Sequence, residues 1–342
     1  MKSVKLVVVA GLLAAVGVAP ASAANAASQP SASPIGWLRA TLNDPAASAA
    51  DAFGVSVSVS GTTAVVGSYG TQNGNQSAVG TAYIFTKSPT GWPTQPSAVL
   101  QDPVGATGDL FGISVAISGG TVVIGAAGTS TSRGAAYIYI KRTTGWPTKP
   151  TRTLDDPDAI ASNSFGKSVS ISGNTVVVGA LGADSAYIYT KGADGWPKAP
   201  TVLLSDPAGA GGDLFGYSVA VSGSTVVVGA LGTDSSRGAA YIYTMGAAGW
   251  PATPTTSLPD PAGTKGDSFG YSVAVSGATA IVGATPGNGT GIGAAYIYVQ
   301  GNAGWPTTPD AALNDPKATS GDEFGLSVTV SGPIAMVGVP GA

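Results

Sequence analysis

Residues 213–230 read Asp-Leu-Phe-Gly-Tyr-Ser-Val-Ala-Val-Ser-Gly-Ser-Thr-Val-Val-Val-Gly-Ala. Two strands and a tight turn are written in this stretch. From Tyr217 to Ser222 the side chains alternate, with Val219 and Val221 on one face and small residues on the other. The triplet Val226 to Val228 suits a strand covered on both sides. Between them Gly223-Ser224 supplies the positive φ of a hairpin turn, as Gly173-Asn174 does one copy earlier. Downstream, Ala240-Tyr241-Ile242-Tyr243 is a third strand of aromatic and β-branched residues. Gly249-Trp250-Pro251 and a short fourth strand ending at Asp260-Pro261 complete a unit.

The unit recurs. Phe-Gly stands at residues 53, 111, 165, 215, 269 and 324, at intervals of 58, 54, 50, 54 and 55. From each Phe to the glycine closing the second strand is always 14 residues, and from the first strand-three Tyr to the next Trp always 9. From each Trp after the first copy to the next Phe is 19. The stretch from that Gly to Tyr takes up nearly all the variation, with 16, 12, 8, 12 and 13 residues. Fixed segments at such a period mark units that bury their faces against one another. Four short antiparallel strands per copy predict an all-β fold, a β-propeller of six four-stranded blades, with a seventh open to an untruncated protein. The competing β-solenoid has a shorter coil and no need of a hairpin glycine.

The N-terminus reads as an export signal over residues 1–23, with Lys2 and Lys5, an apolar run from Leu6 to Val18, and Ala21-Ser22-Ala23 at the cleavage site. A flexible segment over 24–36 and the propeller over 37–342 follow. With Lys2 and Lys5 removed, 13 basic residues face 18 acidic ones, a net charge of −5. That balance excludes a nucleic-acid footprint. No stretch after the signal is long and apolar enough to span a membrane. The absence of Cys excludes disulfides and thiol nucleophiles, and the absence of His removes the usual general base. Burial and backbone pairing must supply the stability.

The copies resemble the FG-GAP repeat, the integrin-like propeller repeat, in its bacterial variant. The matching elements are the six Phe-Gly pairs from Phe53-Gly54 to Phe324-Gly325, and Gly-Ala at Gly125-Ala126, Gly179-Ala180, Gly229-Ala230 and Gly283-Ala284. The resemblance runs from Trp37 to Ala342 and implies the propeller and an extracellular adhesion or recognition role. Two departures limit it. Integrin-type repeats often carry a calcium loop of the D-x-D-x-D-G type between strands one and two, whereas only Ser-Gly and one or two small residues stand there. That turn cannot supply six to eight oxygens, so the family's calcium is not carried over: no cofactor and no metal-ligating residue are expected, with calcium left open although the D-x-D-x-D-G loops are absent. The sixth copy also lacks its aromatic strand, while Trp37 to Leu42 supplies an orphan fourth strand. This predicts a C-terminal truncation with two open edges.

Carboxylates recur seven residues apart before most of the Phe-Gly pairs, as in Asp102 and Asp109, Asp206 and Asp213, Asp260 and Asp267, Asp315 and Asp322. Asp before Pro or in a Gly-rich turn caps backbone N–H groups, weak cation binding is the second reading, and repetition in nearly every copy argues against one catalytic pair. The six Trp residues (37, 92, 146, 196, 250 and 305) and Tyr137 with Tyr139 are assigned to blade packing. In an up-and-down blade the loops between strands two and three leave on the face that also carries the blade-to-blade connections. The variable loops are Ser68 to Val79, Ala126 to Arg133, Ala180 to Ser185, Ala230 to Arg237 and Ala284 to Ile292. Arg133 and Arg237 occupy equivalent places before Gly-Ala-Ala-Tyr, and Asn73, Asn75, Asp184, Asp234 and Asn288 add hydrogen-bonding groups. These seven are the candidate ligand-binding residues, because constant loops hold a scaffold and variable ones carry recognition. The expected protein is a secreted, non-catalytic monomer recognising an extracellular protein or polysaccharide. The alternatives are an aspartate-based carbohydrate-active enzyme and a purely structural surface component.

Overall fold

The computed structural model describes residues 3–4, 40–46, 50–72, 77–209, 211–286, 291–317 and 319–340. The expected signal peptide, the 24–36 segment and Trp37 lie outside the described residues, apart from the backbone at 3–4. Five of the copies form four-stranded antiparallel sheets in which the strands pair in chain order. In copy four these are Phe215–Ser222, Thr225–Ala230, Ala239–Thr244 and Thr256–Pro259. Copy six contributes Val328–Ser331 and Ile334–Val337, paired as a two-stranded sheet. Neighbouring first strands lie side by side from copy one through copy six, which places them at a hub with the sheets radiating outward. The fold is a β-propeller.

Packing follows the alternation in the sequence. Val226, Val227 and Val228 are fully buried, with faces divided between two sheet-to-sheet cores. The core between copies three and four brings Val177, Ile188 and Leu204 of one sheet onto Phe215, Val219, Val221 and Tyr241 of the next. Phe215 stacks obliquely on Tyr241, with ring centroids 5.6 Å apart. Burying each such ring contributes about 2–3 kcal/mol. Tyr137 and Tyr139 are buried, and Trp196, Trp250 and Trp305 join the same cores at 3%, 9% and 8% exposure, which agrees with their assigned packing role.

The paired glycines of each copy exist for the seam between blades. A Cβ on Gly229 would stand 2.0 Å from the carbonyl oxygen of Gly270 in the next copy, and one on Gly179 would stand 1.9 Å from that of Gly216. The same Gly270 carbonyl accepts a hydrogen bond from Ser218 Oγ (2.7 Å), and Gly216 accepts one from Ser168 Oγ (2.8 Å). Further along the hub the first-strand serines accept amides from the next blade, Ser170 from Val221 (3.1 Å) and Ser172 from Gly223 (3.1 Å). The small residues opposite the valines are therefore the connectors of the ring.

Copy one lacks that cover. Val57 and Val59 are 49% and 58% exposed, against 9% and 7% for their counterparts Val219 and Val221. Leu42, in a two-residue strand, packs with Phe53, as Leu204 packs with Phe215. Its backbone pairs with Ser3–Val4 in a separate two-stranded sheet and with no strand of a blade.

Candidate functional site: the loop face

The chain-order pairing sends the strand two-to-three loops and the blade-to-blade connections to one end of every sheet. Hydrogen bonds between them confirm it. The amides of four of the six Phe-Gly phenylalanines donate to the end of the preceding copy's loop: Phe111 to Val79 O (3.0 Å), Phe165 to Arg133 O (2.8 Å), Phe269 to Arg237 O (2.9 Å) and Phe324 to Ile292 O (2.8 Å). The loop of copy three is too short to bring a carbonyl there. The Asp184 side chain replaces it, its Oδ1 accepting from Phe215 N (3.2 Å) and its Oδ2 from Gly212 N (2.8 Å). Asp184, a candidate ligand residue, thus has both oxygens engaged in the seam.

The loops of copies two and four share one shape. After Gly128-Thr129, residues Ser130, Thr131 and Ser132 have φ of 53°, 60° and 62°. After Gly232-Thr233, residues Asp234, Ser235 and Ser236 have φ of 49°, 61° and 62°. Three successive left-handed residues without glycine cost about 1 kcal/mol each, and such strain is typical of positions that serve a ligand or a switch. Arg133 and Arg237 close the two turns. Arg237 Nη1 pairs with Asp234 Oδ2 at 2.5 Å, the one ion pair among the described residues, and its Nε donates to Gly263 O (2.9 Å). In copy two Ser130 stands where Asp234 stands in copy four, and Arg133 remains exposed without a salt bridge among the described residues. A cavity of about 510 Å³, bounded by Thr233, Asp234, Arg237, Tyr241, Asp260 and Gly263, opens beside the copy-four turn. Asn73, Asn75 and Asn288 lie outside the described residues.

The carboxylate pairs sit beneath this face. The first Asp of each pair makes the expected turn around proline, Oδ1 accepting the amide two residues on: Val104 N to Asp102 (3.0 Å), Ala208 N to Asp206 (3.1 Å) and Ala262 N to Asp260 (3.0 Å). The second is buried, Asp109 at 2% and Asp213 at 6% exposure. Burial, and then the Asp109 carboxyl beside it, push Asp102 up to about 7. Burial and the charge of Asp206 push Asp213 up to about 6. Among the described residues no three acidic groups gather in one place, and no helix is long and apolar enough to cross a membrane.

A sequence model of the FG-GAP repeat matches residues 38–85, 97–139, 151–193, 201–243 and 256–298. A search of curated proteins returns no match. Among solved structures, a putative 6-phosphogluconolactonase from Bacteroides uniformis is similar over 76% of this chain and 71% of its own, at 11% identity and a TM-score of 0.53. The WD40 domain of Toxoplasma gondii coronin aligns over 79% of this chain and 60% of its own, at 9% identity and a TM-score of 0.49. At these identities the first likeness concerns the fold alone.

Proposed function

Because the chain belongs to the FG-GAP repeat family, we propose that it is a secreted, non-catalytic recognition or adhesion scaffold that takes an extracellular protein or polysaccharide across its loop face. The observation that carries this reading is the pair of left-handed, Arg-ended turns set on an otherwise constant frame. Rigid seams hold the face while its loops differ in length and charge. Copy two presents the exposed guanidinium of Arg133, without a salt bridge among the described residues, on the loop that also carries Ser130, Thr131 and Ser132, a group suited to carboxylate or hydroxyl-rich ligands. Copy four presents the cavity beside a guanidinium already held by Asp234. The export-signal pattern at the N-terminus supports an extracellular setting.

Screening the chain, freed of residues 1–23, on glycan and surface-protein arrays finds the ligand class. Arg133→Ala then weakens that binding about tenfold with an unchanged melting temperature. A bound ligand whose affinity ignores both Arg133→Ala and replacement of the copy-two turn rules the reading out.

A further inference from the structure

The residue after the Phe-Gly pair is, from copy one to copy six, Val55, Ile113, Lys167, Tyr217, Tyr271 and Leu326. In copies two to five it stands where the first strand slips its register against the second, as between Phe215 and Ser218 in copy four. A bulge of this kind re-aims a side chain. Tyr217 meets its counterpart on either side, as a side chain on the inner edge of the ring does. Its ring centroid lies 5.1 Å from that of Tyr271, at a tilt of 54°, and the Lys167 ammonium stands 5.8 Å from the Tyr217 ring centre. All three residues are fixed by their own amides, which donate at 3.0 Å to the residue before Phe: Lys167 N to Ser164 O, Tyr217 N to Leu214 O and Tyr271 N to Ser268 O. Each first strand starts at the loop face, so these side chains stand just inside the hub's opening there. The opening is cationic and aromatic along copies three to five and aliphatic along copies one, two and six.

Lys167 is half-buried, and no salt bridge reaches it among the described residues. Burial alone holds its ammonium below the usual lysine range, and no second charge of either sign acts on it. An ammonium placed in this way forfeits hydration without a compensating partner. A ligand carboxylate supplies that partner through a charge-assisted hydrogen bond. A single ammonium, with no second cation beside it, suits a monoanion better than a phosphate dianion. The two phenols add faces on which a sugar ring packs and hydroxyls that exchange hydrogen bonds with its own. The acidic side chain of a peptide would use the ammonium and leave the second tyrosine without a role. We propose that the mouth of the hub binds an acidic sugar, a hexuronate, with its carboxylate on Lys167 and its ring against Tyr217 and Tyr271. The site is separate from the Arg-ended turns, and the inference does not depend on what those turns recognise.

Titration calorimetry on the whole chain compares methyl glucuronide, the neutral methyl glucoside and the amide of acetylglutamate. The glucuronide binds about tenfold more tightly than either of the others. Lys167→Met removes that preference and melts no lower than the parent, because it deletes a half-buried charge without a partner. Lys141→Met, at an exposed lysine beside Trp146, leaves glucuronide binding unchanged. Tyr271→Ala weakens the glucuronide several-fold, and should that variant fail to fold, Tyr271→Phe keeps the packing and still loses affinity through the missing hydroxyl. Equal affinity for glucuronide and glucoside overturns the proposal, as does glucuronide binding that ignores Lys167→Met. Acetylglutamate amide bound as tightly as the glucuronide also overturns it, since the occupant would then be an acidic peptide, and so does the absence of glucuronide binding at millimolar concentration.

Discussion

At the scale of single residues, the repeat is decided where a side chain is forbidden. Gly229 has no Cβ because the Gly270 carbonyl occupies its place, 2.0 Å away. Gly229→Ala therefore destabilises the chain by about 1–3 kcal/mol. Gly192→Ala, where a Cβ meets nothing within 4 Å, changes stability by less than about 0.5 kcal/mol. Chemical denaturation of the two variants measures both, and equal losses would discredit the seam. Asp102 and Asp213 titrate in the opposite sense to ordinary surface acids. Asp102 and Asp213 have folded-state values raised to about 7 and about 6, so folding favours their neutral forms. That stability is complete below the ordinary carboxylate range near about 4 and is lost as pH rises through 6 and 7. The melting temperature should fall between pH 5 and pH 8. A flat or rising profile, read by scanning calorimetry, contradicts the assignment.

Among the elements, strands were legible and loops were not. The fixed distances from Phe to Gly and from Tyr to Trp placed every strand of copy four, because a period of two on Val219 and Val221 and a buried triplet at Val226 to Val228 leave one pairing that hides them. The serines opposite those valines read only as small. Their bonds to the next blade depend on the radial arrangement, which no single copy contains. Thr129 to Arg133 gave no conformational signal either, since Ser and Thr do not favour the left-handed backbone that Ser130, Thr131 and Ser132 adopt. Nor did the sequence distinguish Asp184 from a ligand residue. It carries the seam because its loop is the shortest, a relation visible once the neighbouring amides are in place. Asp184→Ala should cost about 1.5–3 kcal/mol through the two amides it strands. Asp194→Ala, in an exposed loop, provides the comparison by thermal melting. Equal effects would show that the substitution at the seam is unimportant.

Across the whole molecule, one arrangement serves stability and exposes the variable loops together. Each sheet buries its valines on the next, the hub serines connect the blades, and the changes of loop length accumulate at one end. The uncovered valines of copy one mark where that regularity is interrupted. The most direct test exchanges loops on the constant frame: residues 127–133 and 231–237 are each replaced by residues 181–184, the short loop of copy three, and ligand binding and melting temperature are measured beside the parent. The account predicts that binding disappears while the melting temperature stays within about 3 °C, a change of roughly 1 kcal/mol. Retained binding would contradict it.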